Sequence, residues 1–155
     1  MAGWAYLATV IDLASRRVVG FSVADHMRTS LIEQAMEMAL TGRRPGPGLI
    51  FHSDRGSQYT STAFRNLLAR HLVRQSLSRP RQCWDNAVAE SFFATHKTEL
   101  VYRQPLATIP AARSAVFEYI EVFYNRKRLH SALGYQSPSA YEACRTNTPE
   151  TAPAA

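Results

Sequence analysis

Two runs of β-branched and aromatic residues near the start of the chain predict a pair of antiparallel strands. The runs are WAYLATVI at residues 4–11 and RVVGFSVA at residues 17–24, and the polar turn between them is short enough for a hairpin. A helix is predicted next, because Thr29 or Ser30 can cap it and the Pro- and Gly-rich segment 42–48 can end it. Its apolar residues recur at helical spacing: Leu31, Ala35, Met38 and Ala39.

Strands and helices alternate along the rest of the chain. The predicted elements are a buried strand at 49–53, a helix from Ser61 to about Arg70, a strand at 71–77, a loop at 78–84, a helix at 86–101, and a helix that Pro110 opens. The apolar side of the last helix comprises Ala112, Val116, Tyr119, Ile120 and Phe123. This order predicts an α/β fold, in which ligands bind at the carboxyl ends of strands.

The composition favours one domain and no membrane segment. A chain of 155 residues that is 46% hydrophobic can bury a single core. We therefore expect one domain at residues 1–145 and a disordered tail, rich in Pro, Ala and Thr, at 146–155. No stretch reaches the roughly 18 apolar residues that span a bilayer, and no secretory signal pattern is present, so a cytoplasmic protein is expected. Cys83 and Cys144 lack the companions of a zinc site and are expected to be reduced thiols.

The charge is unevenly distributed. The chain has 18 basic and 12 acidic residues, a net charge of +6, and the segment between Asp54 and Asp85 contains no acid. Its six arginines are Arg55, Arg65, Arg70, Arg74, Arg79 and Arg81. Isolated surface arginines often only keep a surface hydrated, but six in one acid-free block favour a polyanionic partner such as nucleic acid.

Two acidic residues are candidates for metal chemistry. Asp54, in FHSDRGSQYTS, follows the predicted strand at 49–53, where a lone aspartate often only caps a turn. Glu90 lies in the third predicted helix, and Lys97 follows it at about 20° around the axis and about 10 Å along it. They therefore share one side, opposite an apolar side formed by Val88, Phe92 and Leu100. An ordinary amphipathic helix with hydrated charges is the alternative.

A serine hydrolase is the other chemistry that this stretch suggests. His52 and Ser53 are adjacent in the strand that precedes Asp54. Neighbouring residues of a strand point to opposite faces, so these side chains cannot form a catalytic triad together.

Three motifs, in this order, resemble one family. They are HSDRGSQY, DNAVAESFFATHKTEL and FYNRKRLHSALGYQSPSAYEA, and they resemble the catalytic core of bacterial insertion-sequence transposases of the OrfB type, which are related to retroviral integrases. The resemblance runs over about residues 4–143. It implies a ribonuclease H-like fold, with a mixed sheet flanked by helices, and an Asp, Asp, Glu triad that binds two Mg²⁺ or Mn²⁺ ions. Asp54 matches the second aspartate and Glu90 the glutamate, which makes them catalytic and metal-binding, and Lys97 matches a residue that contacts transposon-end DNA.

One part of the family pattern has no counterpart in this sequence. In the family the first catalytic aspartate lies on a strand just before the segment that corresponds to residues 3–7, and that strand is the central one of the sheet. Asp12 matches a different aspartate and is expected to cap a turn. Without the first strand, the strands at 4–11 and 49–53 would have backbone groups without hydrogen-bond partners. Without its aspartate, we expect weak metal binding and little strand transfer by this polypeptide alone.

The resemblance also implies DNA as the partner. Arg126, Lys127, Arg128 and His130 follow the fourth predicted helix, where basic groups also complement the helix dipole. In the family this segment lies near the active-site face, so these residues are expected to contact DNA phosphates. Further expected partners are transposon ends and target DNA, other copies of the chain in the active complex, and a subunit with an upstream helix-turn-helix. Two functions are predicted: a DNA-cutting and DNA-joining transposase core, or a catalytically silent DNA-binding remnant.

Overall fold

The computed structural model describes residues 3–79 and 87–146, and their elements form an α/β fold as predicted. In chain order the elements are β1 (Tyr6–Ile11), β2 (Val18–Ala24), α1 (Thr29–Arg43), β3 (Ile50–Ser53), α2 (Thr62–Arg70), β4 (Arg74–Leu77), α3 (Ala87–His96), α4 (Ile109–Phe117) and α5 (Pro138–Thr146). π-helical turns extend α3 over Lys97–Val101 and α4 over Glu118–Tyr124. Part of the predicted loop at 78–84, the first residue of the predicted third helix, Cys83 and nearly all of the predicted tail lie outside the described residues.

The strands form two separate sheets. β1 pairs with β2 in an antiparallel hairpin whose register runs from Tyr6 opposite Ala24 to Val10 opposite Gly20. β3 pairs with β4 in parallel. Within residues 3–79 and 87–146 no ladder joins β1 to β3, so the sheet is divided where the family pattern predicts a central strand.

α1 packs directly on the backbone of β2. A Cβ atom at Gly20 would lie 2.1 Å from the carbonyl oxygen of Ala35 and 2.9 Å from the Cβ of Ala39. Glycine in the strand and alanine in the helix therefore permit this close approach. The predicted N-cap of α1, Thr29 or Ser30, is wrong, because the N-cap is Arg28 and makes no side-chain capping bond. The predicted end is confirmed, since the helix ends at Arg43, within the segment 42–48. The predicted cap of α2 is confirmed, since the Ser61 hydroxyl accepts a hydrogen bond from the Phe64 amide at 3.2 Å.

Four residues predicted to be buried are exposed. Met38 of α1 is 38% exposed, because α1 packs through the neighbouring row that contains Met36 and Leu40. Phe123 is 40% exposed, because the wider π-helical turn after Phe117 changes which residues face inward, and Tyr124 is buried instead. Leu49 and Ile50, at the start of the predicted buried strand, are 43% and 59% exposed. They line an open cleft, because no strand formed by residues 3–79 or 87–146 covers that side of β3.

The sequence did not predict α5, which is held against the rest of the fold by hydrogen bonds to Glu142. The carboxylate of Glu142 accepts hydrogen bonds from the Ser15 hydroxyl at 2.7 Å, from the Arg17 guanidinium at 3.0 Å and from Arg43. Burial raises the pKa of Glu142, but the hydrogen bonds from Arg43, Ser15 and Arg17 outweigh it and hold the pKa below its usual range. This cluster joins α5 to the hairpin turn and to the end of α1. Within the described ranges no helix is long and apolar enough to cross a bilayer.

Candidate active site

A cleft of about 1560 Å³ lies between the two sheets. Its sides are lined by β1 on one side and by β3 and Asp54 on the other. Residues of α1 and α3 also line it. Asp54, Glu90 and Lys97 all lie along this cleft. The structure therefore brings the three residues of the predicted site to one surface.

Asp54 lies directly after β3, in a turn that it partly caps. One carboxylate oxygen, Oδ1, accepts a hydrogen bond from the Gly56 amide at 2.7 Å. No other hydrogen bond or ion pair within the described part of the chain involves this side chain, which is exposed. The turn thus uses one oxygen, and the carboxylate keeps lone pairs for a ligand.

A polar network holds the ends of β3 and β4 beside Asp54. The ring nitrogens of His52 lie 2.9 Å from the Ser76 hydroxyl and 3.1 Å from the Ser78 hydroxyl. The Arg55 guanidinium donates to the Ser78 carbonyl at 2.8 Å, and the Ser53 hydroxyl donates to the carbonyl of Asp54. His52 and Ser53 therefore have different hydrogen-bond partners, as expected for neighbouring strand residues whose side chains point to opposite faces. The sequence did not reveal the network, because Ser76 and Ser78 are remote from His52 along the chain.

α3 presents its two charged candidates on the side away from its packing face. Phe92, His96 and Leu100 are buried, whereas Glu90 and Lys97 are exposed to the cleft. The prediction for Val88 was wrong: it is half-buried and lines the cleft with Glu90. Val88 lies one turn before Phe92 and was therefore expected on the same buried side. It is in the first turn of the helix, however, where that side adjoins the open cleft.

Tyr59 is a cleft residue that the sequence analysis missed. Its ring packs against Phe51 and Phe64, with centroids 6.1 and 5.7 Å away. Burial, and after it the negative charge of Asp54, raise the pKa of the Tyr59 hydroxyl. The hydroxyl is therefore protonated at neutral pH and can donate a hydrogen bond in the cleft. Its place at the end of the HSDRGSQY motif was the available signal.

The donor set suits part of a divalent metal site. Carboxylate oxygens of Asp54 and Glu90 are the hard ligands that Mg²⁺ and Mn²⁺ accept. Over residues 3–79 and 87–146, no group of three His, Cys, Asp or Glu side chains is close enough to hold an ion. Asp12 also lines the cleft, but its Oδ1 accepts from the Ala14 and Ser15 amides at 2.9 and 3.1 Å, which confirms its turn-capping role.

The basic segment after α4 divides into two pairs. Arg126 and Lys127 are exposed. The Arg128 guanidinium instead forms an ion pair with Glu99 at 3.0 Å, and the ring of His130 packs on that of Tyr124 with centroids 4.9 Å apart. Burial, together with the nearby charge of Arg128, lowers the pKa of His130. The first pair is available to a phosphate, whereas the second pair packs within the fold.

Comparison with known proteins identifies the family. The integrase core domain models match residues 1–83 and 71–138. The transposase for insertion sequence element IS904 of Lactococcus lactis is 41% identical over 140 residues, 90% of this chain and 55% of the relative. Transposase InsF for insertion sequence IS3A of Escherichia coli K12 is 44% identical over 140 residues, 90% of this chain and 49% of the relative. The chain spans about half the length of these relatives.

Solved structures show the same fold. A chain of the simian T-cell lymphotropic virus intasome, in complex with the PP2A regulatory subunit B56 gamma, superposes with a TM-score of 0.72 at 17% identity, covering 99% of this chain and 52% of that one. The catalytic core domain of BIV integrase superposes with a TM-score of 0.62 at 18% identity, covering 94% and 91%. These likenesses agree with the predicted ribonuclease H-like architecture. The chain belongs to the integrase core domain family.

Proposed function

We propose that this chain is the catalytic core of an insertion-sequence transposase, which cuts DNA to free 3′ hydroxyls and joins them to target phosphates. The observation that carries the proposal is the common cleft of Asp54 and Glu90, in a chain whose relatives are named as transposases. These names do not favour the alternative of a catalytically silent DNA-binding remnant.

The carboxylates of Asp54 and Glu90 would hold divalent metal, either Mg²⁺ or Mn²⁺. When bound, a pair of such ions activates the attacking hydroxyl and stabilises the leaving oxygen of an in-line displacement at phosphorus. The ammonium of Lys97 lies along the same cleft and is suited to neutralise a phosphate of the DNA. The protonated hydroxyl of Tyr59 can donate a hydrogen bond there.

DNA binding is proposed to extend beyond the cleft. Arg126 and Lys127 are exposed, and five arginines of the acid-free block, those at 55, 65, 70, 74 and 79, are exposed as well. Contacts between these basic side chains and DNA phosphates do not depend on the base sequence. Recognition of transposon ends is therefore assigned to a helix-turn-helix region of a partner. Because one structural neighbour is an intasome, the working complex is proposed to contain several copies of the chain.

Binding of Mn²⁺ tests the role of the two acids. Asp54→Asn and Glu90→Gln should each weaken Mn²⁺ binding about tenfold or more, measured by titration calorimetry or by the paramagnetic signal of free Mn²⁺. Asp25→Asn is the matched control, because Asp25 is exposed and does not line the cleft. Equal affinities in all four proteins would refute the assignment.

A joining assay tests the activity. Purified chain, labelled transposon-end DNA, target DNA and Mn²⁺ should yield little joined product, since no three His, Cys, Asp or Glu side chains of the described residues are grouped closely enough to hold an ion. The Asp54→Asn variant should abolish any product that does form. Product that persists in that variant would contradict the proposed role of Asp54.

A further inference from the structure

Lys97 is carried by a π-helical turn. The turn comprises Lys97–Val101 and continues α3. The amide of Tyr102 donates a hydrogen bond at 3.0 Å to the carbonyl of Lys97, so the turn is wider than a turn of an α-helix. The directions of its side chains therefore do not follow from the register of α3 alone, and contacts with other elements decide them.

Glu99 makes the directional contacts of this turn. Its carboxylate accepts a hydrogen bond from the Tyr119 hydroxyl at 2.8 Å, and the Arg128 Nε lies 3.0 and 3.2 Å from its two oxygens. Tyr119 belongs to the π-helical turn that extends α4, and Arg128 follows that turn. Burial, and after it the hydrogen bond to Glu99, raise the pKa of the Tyr119 hydroxyl, which therefore remains a donor. One carboxylate thus joins the two π-helical turns.

The apolar contacts of the turn do not orient it by themselves. Leu100 is buried, and the ring of His96, just before the turn, packs against Phe92 and Tyr119 with centroids 5.8 and 5.4 Å away. Burial of apolar surface is non-directional, so these contacts fix how deep the turn lies rather than its rotation about its axis. Hydrogen bonds weaken steeply when their angle departs from linear. The bonds to Glu99 therefore determine the rotation.

Lys97 and Glu99 point in different directions. They are two residues apart, which places them on nearly opposite sides of a helix. Lys97 is exposed and lines the cleft, whereas Glu99 is half-buried and does not line it. A rotation of the turn that breaks the bonds of Glu99 would therefore also turn the Lys97 side chain away from its place along the cleft.

We propose that Glu99 is a positioning residue for Lys97: its bonds to Tyr119 and Arg128 hold the turn in the rotation that directs the Lys97 ammonium into the cleft, toward a DNA phosphate. The inference rests on the proposed function, because it takes Lys97 to contact DNA. An ion pair that only joins the two helices is the alternative. Partly exposed ion pairs contribute little to stability, and a negative charge near bound DNA repels its phosphates. The two roles predict opposite effects of removing Glu99 on DNA affinity.

DNA binding in the absence of metal tests the proposal. The probe is a dye-labelled DNA duplex of about 20 base pairs in buffer with EDTA, and the readout is fluorescence anisotropy with the whole chain. Glu99→Ala should weaken binding at least about threefold, although it removes a negative charge. Glu118→Ala is the matched control, because Glu118 is an exposed acid of the neighbouring π-helical turn and its removal should not weaken binding. A higher or unchanged affinity of the Glu99→Ala variant would overturn the proposal.

The same substitution in a Lys97→Ala background separates positioning from a general loss of folding. If Glu99 acts through Lys97, Glu99→Ala should no longer weaken binding once Lys97 is removed. Equal weakening in both backgrounds would show that the substitution only destabilises the fold, and the positioning role would be wrong. If Lys97→Ala itself leaves the affinity unchanged, the DNA contact in the proposed function fails, and the positioning role fails with it. A loss with Lys97→Ala but not with Glu99→Ala refutes the positioning role alone.

Tyr119→Phe is the second variant, and it decides the matter if Glu99→Ala does not fold. It removes one hydrogen bond to Glu99, keeps the charge of the chain, and retains the ring that packs against His96. It should weaken DNA binding at least about twofold when Lys97 is present and should have no effect in the Lys97→Ala background. Equal affinities of the Tyr119→Phe variant and the unaltered chain would contradict the proposal.

Discussion

Asn125 directly precedes the basic residues predicted to contact DNA, and its side chain is enclosed in the fold. It is 1% exposed, as is Val18 of β2. The amide of Asn125 binds both backbone groups of Val18: its Oδ1 accepts from the Val18 N–H, and its Nδ2 donates to the Val18 carbonyl, each at 3.0 Å. One side chain thus acts as a short strand partner and joins the end of the π-helical turn to the hairpin.

Substitution Asn125→Leu should be strongly destabilising. Leucine has a similar size but no polar atoms, so the N–H and C=O of Val18 would stay buried without partners. Each such group costs about 1–3 kcal/mol, which gives a loss of about 2–6 kcal/mol in the free energy of unfolding. A domain of this size has about 5–15 kcal/mol in total, so the variant would have lost a large part of its stability.

Urea unfolding followed by circular dichroism measures this loss. With a slope near 2 kcal/mol per molar urea, the midpoint should fall by about 1–3 M. Asn66→Leu is the matched control, because Asn66 is exposed on α2 and the change there should stay within about 0.5 kcal/mol. Equal midpoints for the two variants would refute the reasoning. If Asn125→Leu does not fold, exchange of the Val18 amide in the unaltered chain decides: it should be among the slowest, and fast exchange would contradict the assigned role.

Three further predictions concern charge. Glu142→Gln should lower the free energy of unfolding at pH 7 by about 1–3 kcal/mol. Because the folded-state pKa of Glu142 is depressed, the difference between the two proteins should disappear as pH falls below about 4.5. A difference in urea midpoints that stays constant with pH would contradict this prediction. Burial lowers the pKa of His96 against the opposing effect of a nearby glutamate, so the neutral ring is the folded form and stability should be lost as pH falls below about 6.5. His96→Phe should reduce that loss between pH 7.5 and 5.5, and an unchanged pH dependence would count against it. Replacing Arg126 and Lys127 by alanine should reduce the slope of log affinity for DNA against log salt concentration by about 2. Arg128→Ala, by contrast, should change the stability of the fold more than it changes this slope. If the double variant leaves the slope unaffected, Arg126 and Lys127 are not part of the DNA interface.

Local signals in the sequence were enough to locate the cleft acids. The apolar run before Asp54 ends as a strand, and the helical register around Glu90 places it opposite Phe92, because both depend only on neighbouring residues. The resemblance to the family added the expectation that the two would meet. Both residues line one cleft, and their meeting at a metal stays a prediction.

Long-range contacts and helix irregularities were not predictable in this way. The pattern of the fourth helix assigned Phe123 to the core, but the π-helical turn shifts the register and Tyr124 is buried instead. The basic run was uniform in the sequence, yet Glu99, far from it along the chain, pairs with Arg128 and leaves Arg126 exposed. Spacing cannot reveal such a partner, since the pairing depends on how α3 and the end of α4 meet.

The relative position of the two acids depends on helix packing. Within the described residues the two sheets share no ladder, so their separation depends on α1, which contacts both the hairpin and α2. Asp54 follows β3, whereas α3, which carries Glu90, shares a hydrophobic cluster with Leu7 and Ile11 of β1. The distance between the two carboxylates is therefore set by the packing of α1 and α3 and not by a shared strand ladder.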